Sequence, residues 1–256
     1  MPLKIVNLDE RLWYARFMFY GDSGVGKTYF VKSLPKPVLY VECDLGGADT
    51  LRGEPGIVVV EFEQFGTIAE VFTYLKQHIE EFKSVAIDGL SSIQGALIWE
   101  TAQDPNRKNP QSDYVPTITG WGDVLGRMRR LVKVFHTLPL HIYYTALEEL
   151  IPDPSVPPPP PDEKGRPSQP TAWKLYPKLQ GAFQKTIGGD VSEIGRMYIQ
   201  TYPGEVAKPS NYKLSFAGSS QFQSKVRNKE IGIEPKVYSN PKFEDLVPHL
   251  IRKEKE

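Results

Sequence analysis

At 256 residues, 40% of them hydrophobic, the chain is long enough to bury one substantial core, and a single α/β domain spanning 1–256 is the expectation. Lys plus Arg equals Asp plus Glu at 31 each, which excludes a global field drawing the protein to nucleic acid or membrane; any such binding has to come from local patches. The start "MPLKIVNLDERLWYARF" lacks an apolar core of signal-peptide length and no other apolar run nears the roughly 18 residues that cross a bilayer, so a soluble, cytoplasmic protein with no membrane partner is expected.

A first strand is expected near 15–20 and runs into "GDSGVGKTYFVKSLP", where a helical pattern is stopped by Pro35. Gly21, Gly26, Lys27 and Thr28 fit Gly-x-x-x-x-Gly-Lys-Thr between a strand and a helix, the context of a phosphate-binding P-loop. Gly21, Asp22, Ser23, Gly24, Val25 and Gly26 would close backbone N–H groups around a phosphate chain at a helix N-terminus, with Lys27 reaching the terminal phosphates and Tyr29 following on. Thr28 offers a hydroxyl to Mg²⁺.

The second strand, near 37–43, holds the single cysteine, Cys43, which excludes an internal disulfide and reads as a buried bystander in a reducing compartment. Glu42 and Asp44 end that strand two residues apart and so on one side. A hydrolase needs a group to orient the attacking water; Asp44, nearer the strand end, is the first candidate and Glu42 the second. After a third strand near 57–62, Ile68, Val71, Phe72, Leu75, Ile79 and Phe82 mark one apolar helical stripe. A fourth strand near 84–88, "SVAID", ends in Asp88, a carboxylate placed to serve the metal beside the P-loop, as a Walker B aspartate does.

The polar, proline-punctuated 101–123 is expected to be a long loop. Val124, Leu125, Met128, Leu131, Val132 and Phe135 form a second helical stripe before a fifth strand near 140–146. "IPDPSVPPPPPDEKGRPSQP", 151–170, contains five consecutive prolines and has to be an extended excursion within a second long connection, 148–172. Farther on, "LQGAFQKTI" reads as a helix, and "GRMYIQTY" with "YKLSFAG" as an antiparallel pair. At 241–256 a short helix, capped by Asn240 with Pro241 in its first turn and shortened by Pro248, leads into a charged tail. Guanine specificity normally needs Asn-Lys-x-Asp; Asn228-Lys229-Glu230-Ile231 lacks the aspartate, which favours ATP.

The order of "GDSGVGKT", "VLYVECDLGG", "SVAIDGLSSI", "IYYTALEE", "PKLQGAFQKTI" and "SKVRNKEIGIEP" resembles the RecA-like P-loop ATPases, and more narrowly the phage-encoded, Sak-type single-strand annealing proteins. The resemblance covers most of 15–250. It implies a mainly parallel β-sheet core with flanking helices and a C-terminal antiparallel hairpin, ATP and Mg²⁺ as cofactors, and a homo-oligomeric ring or filament. It places the acidic strand-end residue on Asp44 and the polar sensor on Thr145; Leu147 stands where relatives often carry histidine, and Glu148 is the neighbour able to share that role. It also aligns Arg227 and Lys229 with the basic positions that contact ATP on the neighbouring subunit, where positive charge would stabilise the transferring phosphoryl group.

By the same resemblance the connections 101–123 and 148–172 face DNA. The first carries Arg107, Lys108, Tyr114 and Trp121, the second Lys164 and Arg166 with Trp173 just beyond, so cations could track a phosphate backbone and rings stack unpaired bases. The expected activity is therefore ATP hydrolysis on single-stranded DNA in phage recombination, annealing or replication, with a single-strand-binding protein or another replication or recombination protein as a further partner. Two rivals stand beside it: a non-enzymatic ATP-gated loader or scaffold, favoured if the proline-rich segment recruits a protein, and a small-molecule kinase using "GRMRRLVK" as a lid.

Overall fold

The structure is a computed structural model that describes residues 13–110, 112–153, 155–157, 159–160, 168–201, 204, 206, 211–227 and 233–247. In chain order these form β1 (Arg16–Tyr20), α1 (Lys27–Phe30), β2 (Val38–Glu42), β3 (Ile57–Glu61), α2 (Phe65–Gln77), β4 (Ser84–Asp88) and α3 (Leu90–Gln103). Next come β5 (Lys108–Asn109), β6 (Ser112–Pro116), α4 (Ile118–Phe135), β7 (His141–Ala146), β8 (Glu148–Pro152) and β9 (Trp173–Pro177). The last are α5 (Ala182–Asp190), β10 (Glu193–Ile199), β11 (Tyr212–Ser215), β12 (Lys225–Val226), β13 (Val237–Ser239) and α6 (Phe243–Leu246).

The main sheet has the order β13-β11-β10-β1-β7-β4-β2-β3, with β12 beside β10. From β10 to β3 all neighbours are parallel, while β11, β12 and β13 are antiparallel additions. This is the mainly parallel α/β architecture with C-terminal antiparallel strands expected of a RecA-like P-loop fold. Because side chains alternate along a strand, β1 feeds two cores. Met18 and Tyr20 pack under the helices with Leu75 of α2, Leu97 of α3, Met128 of α4 and Ile187 of α5. Phe17 and Phe19 pack on the other face with Phe30, Leu214, Phe216 and Phe243. Fully burying one such ring contributes about 2–3 kcal/mol, so the strand that presents the P-loop is anchored on both sides.

The five expected core strands appear within a residue or two of their predicted bounds; the first helical stripe holds through Leu75 in α2, with Ile79 in a following 3-10 turn and Phe82 extended, and the second falls wholly within α4. Three expectations change. The 101–123 segment is no loop: α3 runs to Gln103, a β5–β6 hairpin follows, and Thr117, accepting a 3.3 Å hydrogen bond from the Gly120 N–H, starts α4. A Cβ at Gly120 would sit 2.7 Å from Pro116 and 3.2 Å from Thr101, so close packing of the hairpin on the helix start requires glycine. The 148–172 segment begins inside an antiparallel arm, β8 with β9. Lys242, not Asn240, is the cap of α6, and Asn240 takes a left-handed φ of 44° instead. Pro248 and the charged tail lie outside the described residues. Cys43 is half-buried, and burial pushes its thiol pKa well up, which leaves it inert. Among the described residues no helix is long and apolar enough to cross a membrane.

Candidate functional site

The C-terminal ends of β1, β7, β4 and β2 open into a cavity of about 590 Å³, lined among others by Ser23, Gly24, Gly26, Lys27, Thr28, Asp44, Asp88 and Thr145. Gly26 has φ 92°, a left-handed turn that side chains rarely adopt, and a Cβ there would approach the Tyr212 ring to 3.2 Å. The loop it closes leads into a helix of one turn, α1, extended by a 3-10 turn at Val31–Ser33 before Pro35. So short a helix has little dipole to offer, and the phosphate cradle rests on the loop amides and Lys27.

The Lys27 ammonium folds over the loop and donates to the carbonyls of Gly21 (3.0 Å) and Asp22 (2.7 Å). Burial pushes its pKa below the usual lysine value, opposed chiefly by the charge of Asp88. A cation held by neutral carbonyls near carboxylates is under-compensated, the electrostatic state that favours an incoming polyphosphate. The backbone under it is pinned by the Tyr143 hydroxyl, which donates to the Lys27 carbonyl at 2.9 Å.

Asp88 is buried and bears three hydroxyl donors. Thr28 Oγ1 (2.6 Å) and Tyr40 Oη (2.8 Å) both donate to Oδ2, and Thr145 Oγ1 donates to Oδ1. The expected P-loop threonine, strand-end aspartate and sensor threonine are thus brought into contact. Their strands are not all adjacent: β7 lies between β1 and β4, and the register sets Asp88 beside Thr145 on one side and Glu42 on the other. Among the described residues no group of three or more His, Cys, Asp or Glu gathers to hold a metal unaided. Asp88 with the Thr28 hydroxyl is instead the sparse oxygen set that suits Mg²⁺ when phosphate oxygens and water complete its shell.

Asp44 and Glu42 part company. Asp44 is exposed at the cavity mouth, its Oδ1 accepting 2.5 Å from Ser92 Oγ. Glu42 is buried and its Oε1 accepts from the Ala48 N–H at 2.7 Å, holding the turn at Gly47–Leu51. Ser91, adjacent to Ser92 in the first turn of α3, accepts from the Leu147 N–H (3.1 Å) and donates to the Lys178 carbonyl (2.8 Å), tying the end of β7 to the base of the β8–β9 arm. Glu148 is engaged by Arg196 through two hydrogen bonds, Nε at 2.8 Å and Nη2 at 3.2 Å.

The remaining candidates lie elsewhere. Arg227 donates to the Gly189 carbonyl at 3.1 Å. It follows Val226, which pairs with Glu193 at the start of β10, whereas the P-loop end of β1 pairs with Arg196. At about 3.3 Å per residue, Arg227 is on the order of 15 Å down the strands from its own P-loop. Lys229, Lys164 and Arg166 lie outside the described residues. Arg107 is ion-paired with Asp123 at 2.5 Å, and Trp121 is half-buried against the helical core, so neither is free in the way the sequence suggested. Lys108 lies on the short strand β5. Trp173 and Tyr114 are exposed. The basic run "GRMRRLVK" is part of α4, with Arg129 bonded to Asp190 and Arg127 over the Phe65 ring, which is a packed helix and not a lid.

Sequence reasoning missed Tyr40, Ser91, Ser92 and Tyr212. Tyr40 sits inside an apolar run where a core ring is the plain reading, and only its period-two relation to Glu42 could have placed it on the site's side of the sheet.

Residues 14–228 match the family described as an AAA domain. Among solved structures the chain is similar to a KaiC-like protein from the hyperthermophilic archaeon Pyrococcus horikoshii OT3, at 12% identity and a TM-score of 0.47 over 87% of this chain and 83% of that one. No curated protein shows a significant match.

Proposed function

The chain belongs to the AAA domain family, and on that premise we propose that it is a Mg²⁺-dependent ATP hydrolase that works on single-stranded DNA as a homo-oligomer. The observation that carries the hydrolase reading is Asp44: an exposed carboxylate, fixed by Ser92, at the mouth of the cavity that also holds Lys27, Thr28 and Asp88. A carboxylate so placed can accept a proton from, and orient, a water aimed at the terminal phosphate. Lys27 would balance charge on the transferring group. Thr28 and Asp88 would hold Mg²⁺, which when bound neutralises phosphate charge and fixes the orientation of the phosphates.

The DNA part rests on the motif order of the sequence and on the arm. Trp173 is exposed on β9, and the arm's base is tied through Ser91 to the turn that carries Ser92, so a stacking platform is joined to the nucleotide site. The distance of Arg227 from its own P-loop supports a role toward a neighbouring subunit. Action in phage or mobile-element recombination, annealing or replication follows from the Sak-type resemblance.

Phosphate release measured with and without single-stranded DNA tests the whole. Stimulation by DNA supports the proposal. Nucleotide binding with negligible turnover would replace it with a gated loader, and transfer of phosphate to a metabolite with a kinase.

A further inference from the structure

The Asp88 carboxylate is held from both neighbouring strands. Thr145 on β7 is its direct cross-strand partner, while Tyr40 on β2 pairs with Ala86 and so reaches Asp88 diagonally. Diagonal neighbours on one sheet face are within reach of a long aromatic side chain. Tyr40 is 1% exposed, packed with Phe30, Val31 and Tyr143 beneath the P-loop, and its hydroxyl donates 2.8 Å to the same Oδ2 that Thr28 approaches at 2.6 Å. Among the described residues no Lys, Arg or His forms an ion pair with Asp88.

We infer that Tyr40 is the positioning residue that fixes the Asp88 carboxylate for Mg²⁺ and nucleotide. The inference rests on the reading of Thr28 and Asp88 as the metal-holding pair. Terminal carboxylate torsions are broad, so an aspartate needs external donors to present one oxygen in one direction. The Thr28 hydroxyl has one proton and two lone pairs; it can keep donating to Oδ2 while a lone pair serves the metal, but it sits in α1 directly behind the loop that would receive phosphates. Tyr40 sits on the sheet and does not share that loop. A phenol carries its proton at neutral pH, so the hydroxyl serves Asp88 as a donor. The carboxylate therefore stays aimed whether or not the loop is loaded.

The test uses the full chain with a fluorescent ADP titrated with Mg²⁺, beside ATP turnover as a function of free Mg²⁺. Tyr40→Phe keeps the ring and removes the donor. The Mg²⁺ midpoint is expected to rise about three- to tenfold, the range of one typical hydrogen bond's net contribution, while ADP affinity in EDTA stays within about twofold of wild type. Tyr144→Phe is the control, since that buried hydroxyl on the opposite sheet face has no hydrogen-bond partner among the described residues; its midpoint is expected to stay put. Gly47→Ala presses on the same bond from the other side, because a Cβ there would lie 3.0 Å from Tyr40 Oη and push it by a few tenths of an ångström; a smaller rise in the same direction is expected. Midpoints for Tyr40→Phe and Gly47→Ala equal to wild type would overturn the inference alone. A wild-type protein that binds nucleotide with no response to Mg²⁺ would overturn it together with the metal-site reading.

Discussion

Thr28 and Asp88 are 60 residues apart in the chain and touch at 2.6 Å, although a whole strand, β7, separates the strands that present them. The contact closes over the top of β7, where Thr145 completes the group from below. Three elements of the parallel sheet thus converge on one carboxylate, and the first prediction concerns the cation beside it.

Lys27→Ala is expected to lower ATP turnover by about 10³-fold, the scale of losing one preorganised charge donor. Its ammonium bonds only two loop carbonyls, so the thermal midpoint should stay near wild type. Phosphate release and a circular-dichroism melt check both halves, and full turnover by the folded variant would remove the P-loop assignment.

Asp44→Asn is expected to keep nucleotide affinity and slow hydrolysis by about 10²-fold or more, the usual contribution of a general base. Glu42→Gln keeps an acceptor for the Ala48 N–H and should hydrolyse within a few-fold of wild type. Single-turnover kinetics on the pair decides which carboxylate orients water; the reverse pattern assigns it to Glu42.

The strand-end carboxylates show how far sequence reading reached. Spacing placed Glu42 and Asp44 on one side of β2, but only the fold of the following turn shows that Glu42 is consumed as its hydrogen-bond anchor. Asp88 and Thr28 were legible because strand-end and P-loop positions are fixed by short-range pattern, whereas Thr145 was singled out only by the family resemblance. Tyr40 was not, because a tyrosine in an apolar run looks the same whether its hydroxyl meets a carboxylate or the protein edge. The setting of Arg107 and Trp121 was hidden for the converse reason: the polar, proline-marked segment expected to be a loop holds a hairpin and a helix start, with Arg107 paired to Asp123 and Trp121 in α4.

Acid should loosen the fold through His141. Its Nδ1 accepts from the Ala15 N–H at 3.1 Å, and burial, aided by Lys83, lowers its pKa to about 4. A base whose folded pKa lies below its unfolded value costs nothing at neutral pH; stability is lost as pH falls below about 6.5 toward 4, by about 2 kcal/mol at pH 5. Urea midpoints at pH 7 and pH 5 should show that loss, and His141→Asn should show a smaller one.

Single-strand binding should weaken steeply with salt if counterion release drives it. Trp173→Ala is expected to cost about tenfold in affinity with an unchanged salt slope, as loss of one stacking platform does. Arg107→Ala should change little, its guanidinium being committed to Asp123. Fluorescence anisotropy with an oligothymidylate measures both; an unaffected Trp173→Ala would move the DNA path off the arm.

Mixing tests the neighbour-facing charge. Arg227→Ala/Lys229→Ala keeps an intact P-loop and Lys27→Ala keeps the basic pair, so each alone should be nearly inactive. In an equal, freely exchanging mixture about one interface in four joins a good P-loop to a good basic pair, and about a quarter of the ATPase should return. Co-assembly without recovery would show that the basic pair does not act across the interface.

Ser91 and Ser92 are consecutive, yet they answer to different masters: Ser92 grips the carboxylate of Asp44, and Ser91 clasps the Leu147 amide and the Lys178 carbonyl. One turn of one helix is the axle for both. A rotation of that turn would be felt at both grips, so the water-facing carboxylate and the base of the arm share one mechanical support.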